Sequence, residues 1–238
     1  MASSFLVLTN KVLTRVNETS MTAANFTGAE GMPGHAQQAV NETIRRINQE
    51  EFQWPFNHAD GSQLLVADGT QEYTLPTSYQ AIDWDTFYLV KNASLEQTGV
   101  PLKFIEYDEW VSKYRSNDED TIASISDLDS VPSYVFKTPD GKFGISPPPS
   151  KAFTITFDYW AAPSELVGDS DTTVIPARYD NVIIDGAMVQ IHMMRDNLEA
   201  VSIAEKAFKR GLDSMRTQLI NQYQHIFDSR TSFGIRRG

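Results

Sequence analysis

The sequence predicts an α+β fold: a helical bundle built from both chain ends, with an antiparallel β domain, a sandwich or small barrel, inserted between them. Three observations carry this. Ala36, Val40, Ile44 and Ile47 recur at three- and four-residue spacing, and a longer pattern of that period runs from Ala177 to Ile226. Between those stretches the period is two, clearest where Phe153, Ile155, Phe157 and Tyr159 alternate with Thr154, Thr156, Asp158 and Trp160. Turn chemistry then punctuates the middle, as at Pro139-Asp140-Gly141, where proline presets φ and Asp-Gly tolerates positive φ. The expected division is residues 1–60 for the first part of the bundle and 61–175 for the β domain. Residues 176–229 carry the closing helices and 230–238 a flexible tail.

Taken in order, Thr9 is placed to cap a short helix whose apolar side is Val12, Leu13 and Val16. Residues 17–33, rich in Thr, Asn, Gly and Ser, read as a loop. A helix from about Gly34 to Glu51 follows, and Trp54-Pro55-Phe56 stops it, because proline clashes with further helix. From Ser62 the segments are short and rich in β formers: Leu64-Val66, Tyr73-Leu75, Phe87-Val90 and Leu102-Ile105. Tyr107 to Arg115 reads as one or two helical turns, and residues 116–131, polar and without periodicity, read as an exposed loop. Tyr134-Phe136 and Phe143-Ile145 flank the Asp-Gly turn as a hairpin. Pro147-Pro148-Pro149 offers no amide hydrogens and ends its second strand. The helix from Ala177 is apolar on most of its circumference, which predicts burial between layers. The next carries one stripe, Val201, Ala204, Phe208, Leu212, Met215, Leu219, Tyr223 and Ile226, about 28 residues or roughly 42 Å long.

With 41% hydrophobic and 21% charged residues the composition is that of a globular protein. No apolar run approaches the ~20 residues of a membrane helix. Phe5-Leu6-Val7-Leu8 lacks the basic flank and length of an export signal, so folding in the cytoplasm of the producing cell is expected, and matches to the glycosylation pattern such as Asn17-Glu18-Thr19 are fortuitous. The absence of cysteine excludes disulfides and thiolate chemistry. A net charge of −11 argues against tight duplex DNA binding, which depends on Lys and Arg displacing counterions. The charge is uneven. Residues 106–129 hold eight acids against Lys113 and Arg115, a balance of −6, whereas the last nine residues hold Arg230, Arg236 and Arg237 and no acid.

In their order and spacing, four motifs make the chain resemble the head-to-tail adaptor proteins of short-tailed bacteriophages, also called tail tubular protein A. They are Trp54-Pro55-Phe56, Tyr73-Thr74-Leu75-Pro76, Phe157-Asp158-Tyr159-Trp160 and Asp171 through Tyr179, and the resemblance runs from about Phe5 to Ile226. It implies a non-enzymatic virion subunit made in the host cytoplasm. Such a subunit forms a ring, typically a dodecamer, between the portal of the filled head and a tail nozzle of the tail tubular protein B kind. It lines the DNA exit channel, and DNA passes without specific binding; no cofactor and no membrane are involved. Two segments become candidate sites on this reading. Arg230, Phe233, Ile235, Arg236 and Arg237 form a candidate portal-docking tail, and Asp118, Glu119 and Asp120 are candidate acids of the channel or of a rim between subunits. The competing reading is a carbohydrate- or receptor-binding β module with Trp84, Trp110, Tyr114 and Trp160 as stacking platforms.

Catalytic and metal patterns fail individually. His35, His58, His192 and His225 are scattered singly, with no helical zinc-hydrolase spacing, and His192 reads as a partly buried structural histidine. His58 lies near Asp60, which by itself implies nothing. Asp169-Ser170-Asp171 opens like a calcium loop, but its sixth position is Val174 and its twelfth Asp180, so turn chemistry explains it better. There is no phosphate-binding loop and no Gly-x-Ser-x-Gly elbow. The acids of 106–129 would suit paired-carboxylate glycoside cleavage only at a separation that sequence does not give.

Overall fold

A computed structural model describes residues 2–66, 69–90, 99–124 and 130–220. The fold is α+β, and it divides into two units: residues 1–57 with 162–238, and residues 58–161.

The first unit is helical. Helix α1 (Phe5–Arg15) is capped by Ser4, whose hydroxyl accepts from the Val7 amide at 3.4 Å. Thr9, expected as the cap, instead lies inside the helix on the buried face with Phe5, Leu8, Val12 and Leu13. The carbonyls of Asp169 and Asp171 accept the Leu6 and Phe5 amides at 3.1 and 2.7 Å, which occupies donors of the first turn. Helix α2 (Gly31–Glu50) buries Ala36, Ala39, Val40, Thr43, Ile44 and Ile47. Beyond it, the Trp54 indole N–H donates to the Ile47 carbonyl at 3.1 Å and the ring stacks on Phe56. The closing pair is α5 (Asp180–Met194), entered through a short 3₁₀ turn, and α6 (Leu198–Leu219); two further helices, α3 (Tyr107–Lys113) and α4 (Arg115–Ala123), belong to the second unit. One core joins α1, α2, α5 and α6, so residues from both chain ends share it. The tight point is Gly186 on α5. A Cβ there would stand far inside contact distance of Thr43 Cγ2 on α2 and 2.9 Å from Phe208 Cδ2 on α6. Met193 and Met194 are exposed in the last turn of α5, although the helix reads as apolar on most of its circumference. The stretch of the α6 stripe from Tyr223 to Ile226 lies outside the described residues.

The second unit is two sheets around a common core. Strand β1 (His58–Leu65) pairs antiparallel with β9 (Phe153–Ala161) from His58↔Trp160 to Leu65↔Phe153. The other edge of β9 takes β4 (Tyr88–Leu89) at one end and β3 (Tyr79–Ile82) at the other, and β4 carries β5 (Val100–Pro101). The second sheet runs β2 (Glu72–Tyr73), β8 (Phe143–Ser146), β7 (Tyr134–Lys137), β6 (Lys103–Ile105). Phe153, Ile155 and Phe157 of β9 meet Phe143 and Ile145 of β8 and Val135 of β7, with Phe87 stacked on Phe157 at 4.7 Å. The β7–β8 hairpin forms as the turn chemistry requires, with Gly141 at φ +82°.

Two features depart from the expected pattern. Strand β1 begins at His58, earlier than Ser62, because pairing to β9 rather than apolar alternation extends it. And β6 and β7 are parallel, so the chain between them must cross over. That crossover is α3 (Tyr107–Lys113) and α4 (Arg115–Ala123): a helix stands where an exposed loop was expected.

Two substitutions separate the contacts in the helical core. Gly186→Ala should lower stability by about 1–3 kcal/mol through overpacking. Ile44→Asp, which would place a carboxylate at a position only 4% exposed, should cost several kcal/mol and melt far lower. Thermal unfolding of both variants checks the order; a wild-type melting curve for Ile44→Asp would contradict the shared core.

Candidate functional surfaces

The acidic segment is built on α3 and α4, and its acids do not behave alike. On exposed faces, Glu109 pairs with Lys113 at 2.8 Å and Glu119 with Arg115 at 3.0 Å, each four residues apart. The hydrogen bond and charge of Lys113 hold the Glu109 carboxyl below its ordinary range. Asp120 is exposed. Asp118 is not: at 2% exposure it points inward from α4. Its carboxylate accepts from the Trp110 indole N–H at 2.8 Å, the Gln71 side-chain amide at 2.8 Å and the Ser146 hydroxyl at 3.0 Å. Asp118 therefore fastens α4 to the loop before β2, to the end of β8 and to α3. As a surface acid it is corrected; Glu119 and Asp120 keep surface positions. Beside it a cleft lined by Tyr114, Asn117, Thr121, Ser130, Tyr134 and Pro147 opens to solvent.

The aromatic residues considered as stacking platforms are largely committed elsewhere. Trp110 is buried and stacks on Phe136 at 4.4 Å. Trp84 stacks on Phe87 at 5.4 Å, and Tyr114 packs with Tyr134 at 4.8 Å. Trp160 is half-buried, with the His58 ring edge-on at 6.2 Å.

His35 is exposed on α2 and His192 half-buried on α5. The Asp169–Asp171 stretch is a turn: Asp171 accepts from the Val167 and Gly168 amides at 2.8 and 2.7 Å, and these bonds lower its pKa. His58, Asp60 and Asp158 do come together, with ligand atoms within 4.8 Å of one another. Sequence showed the first two as neighbours; only strand pairing adds the third.

Large apolar side chains are exposed in the last turn of α5, at Met193 and Met194, and early in α6, at Leu198 and Ile203, with Leu198 74% exposed. The tail residues Arg230, Phe233, Ile235, Arg236 and Arg237, and His225, lie outside the described residues. No helix among the described residues is long and apolar enough to cross a membrane.

The chain matches the family described as SU10 adaptor protein over residues 3–231. It belongs to that family. The match spans both chain ends and the inserted sheets. No curated protein matches the adaptor. The resemblance read from the four motifs is thus borne out as a phage structural adaptor, a class of virion tail or neck component that works with portal and tail proteins.

Asp118 and Asp171 give contrasting tests. Asp118→Leu should cost about 3 kcal/mol, since it strands the Trp110 and Ser146 donors. Asp118→Asn should cost far less, because the amide oxygen keeps two bonds and the Ser146 hydroxyl can rotate to accept. Denaturant melts of the pair read the difference. For Asp171 the folded-state pKa is depressed, so its contribution is present above the ordinary carboxylate pKa of about 3.9 and is lost as pH falls through the lower folded value. Stability measured from pH 6 downward should show an acid-limb component that Asp171→Asn lacks.

Proposed function

We propose that this adaptor is one subunit of a closed ring, a dodecamer, seated between the portal of the filled head and the tail nozzle. The observation that carries this is the family match over residues 3–231. The ring, its copy number and its two partners follow the resemblance to tail tubular protein A. Function then lies in interfaces, and a repeated heterologous contact that returns on itself closes the ring. The exposed Met193, Met194, Leu198 and Ile203 support an assembling surface on the helical unit, because apolar side chains left in solvent are buried at a favourable free energy when a neighbour docks.

DNA would pass through the ring during ejection without specific binding. The net charge of −11 supports this, since a wall poor in cations releases few counterions from a passing duplex. In this reading Glu119 and Asp120 stand at the channel or at a rim between subunits, and the arginine-ended tail 230–238 orders on docking to the portal. Electron microscopy of the particle tests the placement: a ring beneath the portal is expected, and density for this chain elsewhere in the particle would end the proposal.

Deleting residues 230–238 should leave thermal stability nearly unchanged and weaken portal docking. Glu119→Gln with Asp120→Asn should keep the fold and make either assembly or ejection depend less on salt, because such fields are screened within about 8 Å at physiological ionic strength. A salt series on particles carrying the double variant distinguishes channel from rim. Full-strength docking by the shortened chain, or no change across the series, would count against the two assignments respectively.

A further inference from the structure

The outer face of the β1–β9 pair carries a feature that neither packing nor the adaptor reading uses. Phe153, Ile155 and Phe157 face the core, so Asp158 and Trp160 face outward by the alternation of a strand. The register sets Asp60 directly opposite Asp158 and His58 opposite Trp160. Two carboxylates are therefore side by side on neighbouring strands, an arrangement that repulsion disfavours. Among the described residues no Lys or Arg pairs with either; the one basic group in reach is His58, with Nε2 3.4 Å from Asp158 Oδ2. All three side chains place a ligand atom within 4.8 Å of the others.

We propose that His58, Asp60 and Asp158 form a surface site for a zinc-class divalent cation. Two donors held by one tetrahedral zinc at about 2.0–2.1 Å are separated by roughly 3.3–3.4 Å, which is the His58–Asp158 spacing already present. Asp60, exposed and free to change rotamer, closes the remaining distance. One imidazole nitrogen with two carboxylate oxygens suits zinc, cobalt or manganese; magnesium and calcium prefer sets made of oxygen alone. The ion would neutralise the opposed carboxylates, with a fourth position left to water. Its place gives it a role. His58 is the first residue of the inserted unit and Asp158 lies three residues before its last, Ala161, so the ion ties together the two strands through which the chain enters and leaves.

The test uses the full chain without an affinity tag, titrated with zinc chloride by calorimetry and melted with and without the metal, with magnesium chloride as the control. One zinc per chain is expected, with a Tm that climbs as free zinc rises, as linkage requires. His58→Gln and Asp158→Asn should each weaken binding by more than the roughly 10–100-fold that loss of a mere supporting hydrogen bond costs. Asp60→Asn is the decisive variant: without metal it should melt no lower than wild type, because it removes a repulsion, yet it should lose the zinc-induced shift. Zinc binding that survives His58→Gln would assign the metal to His35, His192 or His225 and overturn the site. So would an absence of binding, equal binding of magnesium, or an Asp60→Asn variant destabilised without metal but still shifted by zinc.

Discussion

The helical unit depends on one constraint: α5 is apolar around most of its circumference and must be enclosed there. Val182, Ile183, Ile184, Ala187, Met188, Val189 and Ile191 bury around its circumference, so neighbours must cover it on several sides. Those neighbours are α1 and α2 from the beginning of the chain and α6 from its end. The requirement to enclose one segment thereby brings both chain ends into a single core, and the residues between them leave and return as a separate unit. Gly186 sets how closely the enclosure can draw in, since no side chain stands between α5 and the Thr43 and Phe208 side chains there. Polar groups follow the same geometry. Asp180, at the start of α5, is held by Ser3 at 2.5 Å and Lys11 at 2.6 Å, a negative charge at the positive end of the helix.

In the inserted unit β9 does the corresponding work. It is long enough to pair with β1 along one edge and with β4 and β3 along the other, while its odd-numbered side chains build the core. The second sheet is buried on both faces near β8, which is why Phe143-Gly144-Ile145-Ser146 shows no alternation of exposure. Its far side is closed by α3 and α4 through Trp110 on Phe136 and through Asp118. The acid there is a fastener: three donors converge on it, and it takes the place that an apolar stripe would fill on an ordinary docked helix.

These features bear on function through what they leave outside. The chain belongs to a phage structural adaptor family, and three features stand on its surface. The helical unit leaves Met193, Met194, Leu198 and Ile203 in solvent, and the inserted unit leaves Glu119, Asp120 and the His58–Asp60–Asp158 group. The first is suited to a protein neighbour by its apolarity. On the proposals above, the second would face passing charge and the third an ion.

Sequence by itself determined the class of fold, the existence of the four bundle helices and the main strands, and the family. Each of these rests on local pattern: the stripe Val201, Phe208, Leu212 and Met215, the alternation along β9 and the Asp-Gly turn all state their own periodicity. The tertiary structure alone decided which acid is a surface charge and which is a buried acceptor. Asp118, Glu119 and Asp120 are adjacent and chemically alike, and only the direction of each on α4 separates them. It alone made α4 a helix, because Arg115–Ala123 has no apolar stripe to announce one and is held by polar bonds to distant residues. It alone, finally, set Asp158 beside Asp60. The two are nearly a hundred residues apart, and hydrogen-bonded register between strands is a long-range property that no local period encodes.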